Sequence, residues 1–194
     1  MSMKILITLT KVLSLILIPC CAFGEILFEG YYKISIENAP IGYMIQRYDL
    51  NPKDKQFIST YYMYTKTAEG TSIESLKAIA TPQLAPISYQ YTSLSGKTNK
   101  VIDAIVTKDK RKKNHLILKT TVNQGKTTSK DVVLGDNTFF STFLSHLMLQ
   151  DPKGIQVGNK FTYEAVLEED GQVEKGEVYV KSQEKEKGMD VFRM

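Results

Sequence analysis

Two histidines are the first residues to consider for chemistry, because histidine is the commonest general base and metal ligand near neutral pH. His115 and His146 have no catalytic or ligand-like neighbour at a recognisable spacing. No serine stands in the Gly-x-Ser-x-Gly motif of a nucleophile elbow. The sequence therefore predicts a protein that is not an enzyme and holds no metal or cofactor.

Two charged runs are candidates for binding ions or phosphates. Residues 108–113 (KDKRKK) are basic, and residues 168–170 (EED) are acidic. Each run falls between two predicted strands, where charged turns are usually solvated, and the basic run lacks the interleaved aromatic residues of a nucleic-acid site. With a formal net charge of only +4, the chain gives no reason to expect nucleic acid as a partner.

Aromatic and large aliphatic residues allow two interpretations. They either fill a β core and its covering helix, or line a cavity for an acyl chain or another apolar ligand. Core filling is the simpler reading, but a bent sheet under one helix often leaves space between them. The candidate lining residues are Tyr62, Tyr64, Tyr89, Tyr91, Phe140, Phe143, Leu144 and Leu147.

Residues 1–24 have the pattern of an export signal. A short basic start precedes the apolar run VLSLILI at 12–18, which is too short to span a bilayer. Ala22 and Gly24 are small residues at the positions that a signal peptidase prefers, so we expect cleavage between Gly24 and Glu25. The predicted location is the periplasm of a Gram-negative bacterium; lipid attachment at Cys20 or Cys21 is the less favoured alternative, because neither cysteine has the usual preceding residues. No membrane-spanning segment is expected after residue 24.

The rest of the chain, 25–194, is expected to form one β domain. Alternating apolar residues and regularly spaced turns predict short antiparallel strands. Asp170-Gly171 is the strongest hairpin signal. Between 138 and 150, apolar residues recur at helical spacing and predict one amphipathic helix, with His146 on its polar face. The predicted fold is mainly β: a strongly curved antiparallel meander, like a half-barrel, with one covering helix. The last strand looks interrupted at Met194.

Three short motifs resemble a known group of proteins. They are Gly30-Tyr31-Tyr32, the hairpin Asn38-Ala39-Pro40-Ile41-Gly42-Tyr43, and the strand entry Val157-Gly158-Asn159-Lys160-Phe161-Thr162-Tyr163. The chain resembles bacterial envelope domains of unknown function that stand immediately before transglutaminase-like domains. The resemblance implies a half-barrel similar in shape to periplasmic lipoprotein carriers, with no catalytic residues in this part and a Cys-His-Asp set further downstream.

Three functions follow as hypotheses. The first is a non-catalytic envelope module that binds a partner or positions a neighbouring domain. The second is a periplasmic carrier of lipid or another apolar ligand, held between sheet and helix. The third, weaker one is the N-terminal accessory part of a truncated transglutaminase-like peptidase.

Overall fold

The computed structural model describes residues 25–37, 39–68, 70–110, 112–149, 155–186 and 189–193. The predicted export signal, with Cys20, Cys21 and Gly24, lies outside the described residues. Glu25, on the other side of the predicted cleavage point, is the first residue of the first strand.

One antiparallel sheet of eight strands forms most of the domain, and its spatial order is the order of the chain. The alternating pattern predicted these strands, and the antiparallel meander is confirmed. Its strands are β1 (Glu25–Ile36), β2 (Ala39–Asn51), β3 (Gln56–Thr67), β4 (Gly70–Ala80), β5 (Pro86–Ser95), β6 (Thr98–Lys108), β7 (Asn114–Val122) and β8 (Thr128–Val133).

A second, smaller layer follows β8 in the chain. The two-residue strand β9 (Phe139–Phe140) leads into a 3₁₀ turn (Ser141–Phe143) and the helix α1 (Leu144–Leu149). Strands β10 (Lys160–Leu167) and β11 (Gln172–Tyr179) then form a hairpin at Asp170-Gly171, as predicted, and the sheet order is β11-β10-β9. A separate hairpin, β12 (Ser182–Glu186) with β13 (Met189–Arg193), ends the described chain. We call residues 139–149 and 160–171 the cap.

The described helix is shorter than the 138–150 predicted from sequence. Phe139 and Phe140 instead pair in parallel with Ala165 and Val166 of β10. The apolar periodicity continues through these two residues because both are buried, but burial against a strand satisfies it as well as burial on a helix does. The local pattern could not reveal a pairing partner some 26 residues further along the chain.

The core lies between the cap and one face of the large sheet. Alternate residues of each strand point to that face, and they include Phe57, Ala78, Tyr89, Ile102 and Leu118. The cap reaches most of the sheet: Phe143 contacts the rings of Tyr48 and Phe57, and Phe140 contacts Tyr89. At the far side, Lys130 Nζ of β8 donates to the carbonyl oxygen of Asp170 at 3.2 Å.

These contacts show why the sheet is curved. In a flat sheet, with strands about 4.8 Å apart, β2 and β8 would lie about 29 Å from each other. A short cap touches both, so the sheet bends around it. The sheet does not close, because β1 and β8 are not paired with each other. The open, curved meander predicted from the sequence is therefore confirmed.

Candidate functional site

A cleft of about 640 Å³ lies between the β1–β2 edge of the large sheet and the helical part of the cap. Its volume is within the range of about 300–1,000 Å³ that small-molecule sites usually have. Apolar side chains come mainly from the sheet, and hydroxyl groups come mainly from the cap. The lining residues are Leu27, Phe28, Tyr32, Met44, Gln46, Tyr48, Ser141, Thr142, Leu144, Ser145 and His146.

The register of β1 against β2 places the sheet side of this cleft. Phe28 pairs with Tyr48, and Tyr32 pairs with Met44, so all four side chains point to the cap side. Gly30 lies between Phe28 and Tyr32 on the same face. A Cβ atom there would meet the end of the Phe28 ring at 2.7 Å and the Tyr32 ring at 2.9 Å. The absence of a side chain at Gly30 therefore lets the two rings lie over the strand and form the cleft floor.

A hydrogen-bond network anchors the cap at the inner end of the cleft. Tyr48 donates its hydroxyl proton to the carbonyl oxygen of Thr142 at 2.8 Å. The hydroxyl groups of Ser59 and Thr142 are 2.7 Å apart, and Gln46 Nε2 donates to Ser59 at 2.8 Å. Burial raises the pKa of Tyr48 to about 12, so its hydroxyl stays protonated and remains a donor at physiological pH.

Glu168 fixes the same turn from the opposite side. This side chain is buried, and it accepts hydrogen bonds from Ser141 Oγ at 2.5 Å and from the backbone N–H of Thr142 at 3.0 Å. Burial raises the pKa of Glu168, while these two hydrogen bonds act in the opposite direction. A buried carboxyl group is costly unless it is hydrogen-bonded, and here both of its oxygens have partners. Glu168 therefore serves to hold the start of the helical segment.

His146 packs against aromatic rings, in contrast to the solvated position predicted for it. Its ring centroid is 4.2 Å from that of Phe57 and 5.9 Å from that of Tyr48. His146 follows Phe143 by three residues, and both rings contact Tyr48 and Phe57, so position 146 lies on the side that faces the sheet. Burial lowers the pKa of His146, so the neutral ring is favoured in the folded protein.

A smaller cavity of about 290 Å³ continues the cleft toward β4 and β5. The two share Met44, Gln46, Ser141 and Thr142. Tyr61 and Tyr91, which line the smaller cavity, each donate a hydrogen bond to Glu74 Oε2 at 3.0 Å. Burial is the main cause of the raised pKa of both tyrosines. The cleft and the smaller cavity together thus have an apolar outer part and an inner part rich in hydrogen-bonding groups.

Six of the eight residues predicted to line a ligand cavity lie on the cap side of the sheet. Tyr89, Phe140 and Phe143 are packed in the core, whereas Tyr91 lines the smaller cavity and Leu144 lines the larger cleft. Leu147 lines a third, separate cavity of about 550 Å³ beside Leu84 and Tyr163. The residues are therefore distributed between the core and three cavities instead of surrounding one.

Tyr62 and Tyr64 lie on the other face of the sheet, so the prediction that they face the cap across a cavity does not match their placement. Both are near Tyr43, with ring centroids 6.0 Å and 5.6 Å away. Large side chains occupy both faces of β3, and a shift of one residue exchanges the faces. The aromatic run 61–64 gave no indication of which tyrosines turn inward; Tyr61 does.

The sequence pattern does not predict that residues of β1 and β2 form a cleft. Phe28 and Tyr32 lie four residues apart in β1, as do Met44 and Tyr48 in β2, so each pair shares one face of its strand. Their role as a cleft depends on where the cap ends above them, which is a long-range property. The sequence predicts only a charged turn at Glu168, but this side chain is buried and accepts hydrogen bonds from Ser141 and Thr142 of the cap.

Comparisons with known proteins do not extend this description. No match for the chain is found among protein-family models, curated proteins or solved structures. The resemblance to envelope domains that precede transglutaminase-like domains thus stays a prediction. Within the part of the chain that the structure describes, no helix is long and apolar enough to cross a membrane, and no three His, Cys, Asp or Glu residues are grouped as metal ligands would be.

Proposed function

We propose that this protein is a non-catalytic binding module that takes the apolar chain of a ligand into the cleft between β1, β2 and the cap. The observation that carries this proposal is the cleft itself. Leu27, Phe28 and Met44 offer an apolar floor, and Leu144 offers an apolar wall. Transfer of a ligand chain from water to such a surface is favourable in proportion to the apolar area that is covered.

The polar groups at the inner end favour an amphipathic ligand over a pure hydrocarbon. Gln46, Ser141 and Thr142 lie where the cleft meets the smaller cavity. A few placed hydrogen-bonding groups in an otherwise apolar site usually orient the ligand. A single-chain amphiphile, such as a fatty acid or a lysolipid, has both parts in one molecule.

A matched pair of leucine variants tests this function. Leu27 is 44% exposed and lines the cleft, whereas Leu94 is 42% exposed and points to the opposite face of the sheet. We expect Leu27→Ser to weaken the binding of a fluorescent fatty acid by about five-fold, as loss of part of a leucine contact should. Leu94→Ser should bind as the wild type does. Titration followed by fluorescence measures both affinities.

Native mass spectrometry of gently purified protein is the second readout. We expect a bound lipid or fatty acid to be retained by the wild type. If the wild type neither retains a lipid nor takes up the fluorescent fatty acid, the proposed function is wrong. If the two serine variants bind the fatty acid equally weakly, the protein binds it, but the cleft is not the site.

The other functional hypotheses stay predictions. A partner-binding or domain-positioning role in the cell envelope is compatible with a binding module, and its test is co-purification from an envelope fraction. The accessory role beside a transglutaminase-like peptidase is tested by the DNA that follows the codon for Met194. A downstream Cys, His and Asp in that order would support it.

A further inference from the structure

Strand β1 forms one edge of the large sheet and exposes an unusual number of apolar side chains. On its outer side, no strand among the described residues pairs with it. Long apolar edge strands are templates for pairing with another strand, and soluble proteins usually protect them with charge, proline or a covering segment. The exposed side chains include Ile26, Leu27, Phe28, Tyr31, Tyr32 and Ile36.

The sequence of β1 is complementary to itself when it is read in the opposite direction. Pairing with β2 is regular from residue 28 to residue 34 and irregular on both sides of that stretch. Tyr31 is the centre of this regular stretch. An antiparallel second copy, aligned on Tyr31, would place Glu29 opposite Lys33 of that copy, and Phe28 opposite its Ile34. Each of these contacts would occur twice.

We propose that two copies of this chain associate through their β1 strands, antiparallel and centred on Tyr31. The two large sheets would then form one continuous sheet. Glu29, Tyr31 and Lys33 share the face away from the cap, since side chains two apart in a strand point the same way. Opposite charges directly across an antiparallel pair stabilise it, whereas like charges destabilise it.

The side chains at the centre are accessible for this pairing. Tyr31 is 72% exposed, and its hydroxyl donates to Glu29 Oε1 at 2.5 Å. Glu29 also lies 3.8 Å from Arg47 of β2, and its side chain is 35% exposed. The complementary order of charges and the apolar pairs beside them favour a second copy over an unrelated strand. The association does not depend on a ligand in the cleft.

Charge reversal at one position at a time tests the register. In Glu29→Lys, both copies carry lysine at 29 and 33, and in Lys33→Glu, both carry glutamate. We expect the wild type to have twice the mass of one chain in light scattering. Each variant should raise the dimer dissociation constant by about ten-fold, because two attractive pairs become repulsive.

Mixing the two variants provides the decisive control. In a mixed dimer, every lysine again faces a glutamate, so an equimolar mixture should recover association to nearly the wild-type level. Loss of folding in either variant would not produce this recovery. A wild type that remains monomeric at every concentration tested overturns the proposal, as does a dimer that neither variant weakens.

Disulfide formation tests the register independently and leaves Glu29 unchanged. Tyr31→Cys should form a disulfide across the pair under mild oxidation, because the two residues at position 31 are directly opposite. In Ser35→Cys, which leaves the charged pairs unchanged, the two thiols would be about 27 Å apart along the strands and should not react. The wild type controls for Cys20 and Cys21. Equal cross-linking of both variants would show a different register and contradict the proposal.

Discussion

The ring of His146 is held against the rings of Phe57 and Tyr48 at the inner wall of the cleft. Burial there lowers its pKa. The unfolded chain, with a histidine pKa near 6.5, therefore binds a proton more readily than the folded protein does. Because stability rises with pH wherever the unfolded state binds more protons, His146 contributes stability above about pH 6.5 and removes it as the pH falls below that value.

We expect His146→Phe to reduce the acid sensitivity of the fold. A phenylalanine ring can keep the contact with Phe57 and has no proton to gain. The melting temperature of the wild type should decrease between pH 7 and pH 5.5 by more than that of the variant. Thermal unfolding followed by circular dichroism at a series of pH values measures this difference.

The other histidine is the matched control. His115 lies on β7, with its Nδ1 atom 2.9 Å from Asp131, and its side chain points to the face away from the cap, since its neighbour Leu116 is buried on the cap side. His115→Asn should keep the loss of stability that His146 causes below pH 6.5. If His146→Phe has the same pH dependence as the wild type, the buried ring is not the acid-sensitive group.

For single residues, the sequence predicts which residue types a strand contains better than the face of the sheet to which each side chain points. It placed tyrosines in β3 correctly but could not assign Tyr61 to the cap side and Tyr62 to the other. Both faces of that strand carry large side chains, so the usual contrast between apolar and polar faces is weak. By contrast, β5 alternates the polar residues Ser88 and Gln90 with Tyr89 and Tyr91, and both of these tyrosines are buried on the cap side.

Among the elements, the β10–β11 hairpin connects the cap to the far side of the sheet. Gly171 closes its turn with a positive φ of 67° and its N–H donates to the carbonyl oxygen of Leu167 at 2.8 Å. A Cβ atom at this position would lie 2.2 Å from Leu118 Cδ2 of β7. Leu118 is itself in the core and cannot move away cheaply. The absence of a side chain at Gly171 thus permits both the turn and the close approach of the hairpin to β7.

We expect Gly171→Ala to destabilise the protein by about 1–3 kcal/mol more than Gly96→Ala does. Gly96 is the control because its φ of 59° is similar, and nothing lies within 4 Å of its missing Cβ. Both variants pay the cost of a left-handed alanine, about 1–2 kcal/mol, and only Gly171→Ala adds the contact with Leu118. Urea unfolding measures both free energies. Equal losses would mean that the cap can move away from β7.

The sequence identified the elements with local signals and missed those that depend on distant partners. Asp170-Gly171 marked its hairpin because the turn chemistry is local. The local pattern predicts a helix that includes Phe139-Phe140, because their strand partners, Ala165-Val166, come much later in the chain. The same limit applies to the cleft, because its wall at Thr142 and Leu144 comes from a segment far along the chain from β1 and β2.

For the whole molecule, we propose export to the periplasm, with removal of residues 1–24. Intact mass spectrometry of the protein purified from the periplasm should give the mass of a chain that begins at Glu25. A mass larger by a lipid group, with Cys20 or Cys21 at the N-terminus, would support lipid anchoring instead. Retention of the full chain in the cytoplasm would contradict export.

The order of the large sheet also has a consequence for how the protein folds. Each of its strands pairs only with its neighbours in the chain, so every hairpin closes a short loop at a small entropic cost. Proteins dominated by such local pairings fold faster than those that need distant ones. The sheet can therefore form progressively, from β1 onward, as the chain emerges. The contacts of Thr142 with Tyr48 and Ser59 link segments that are distant in the chain. Docking of the cap should therefore be a late step, which completes the core and creates the cleft at the same time.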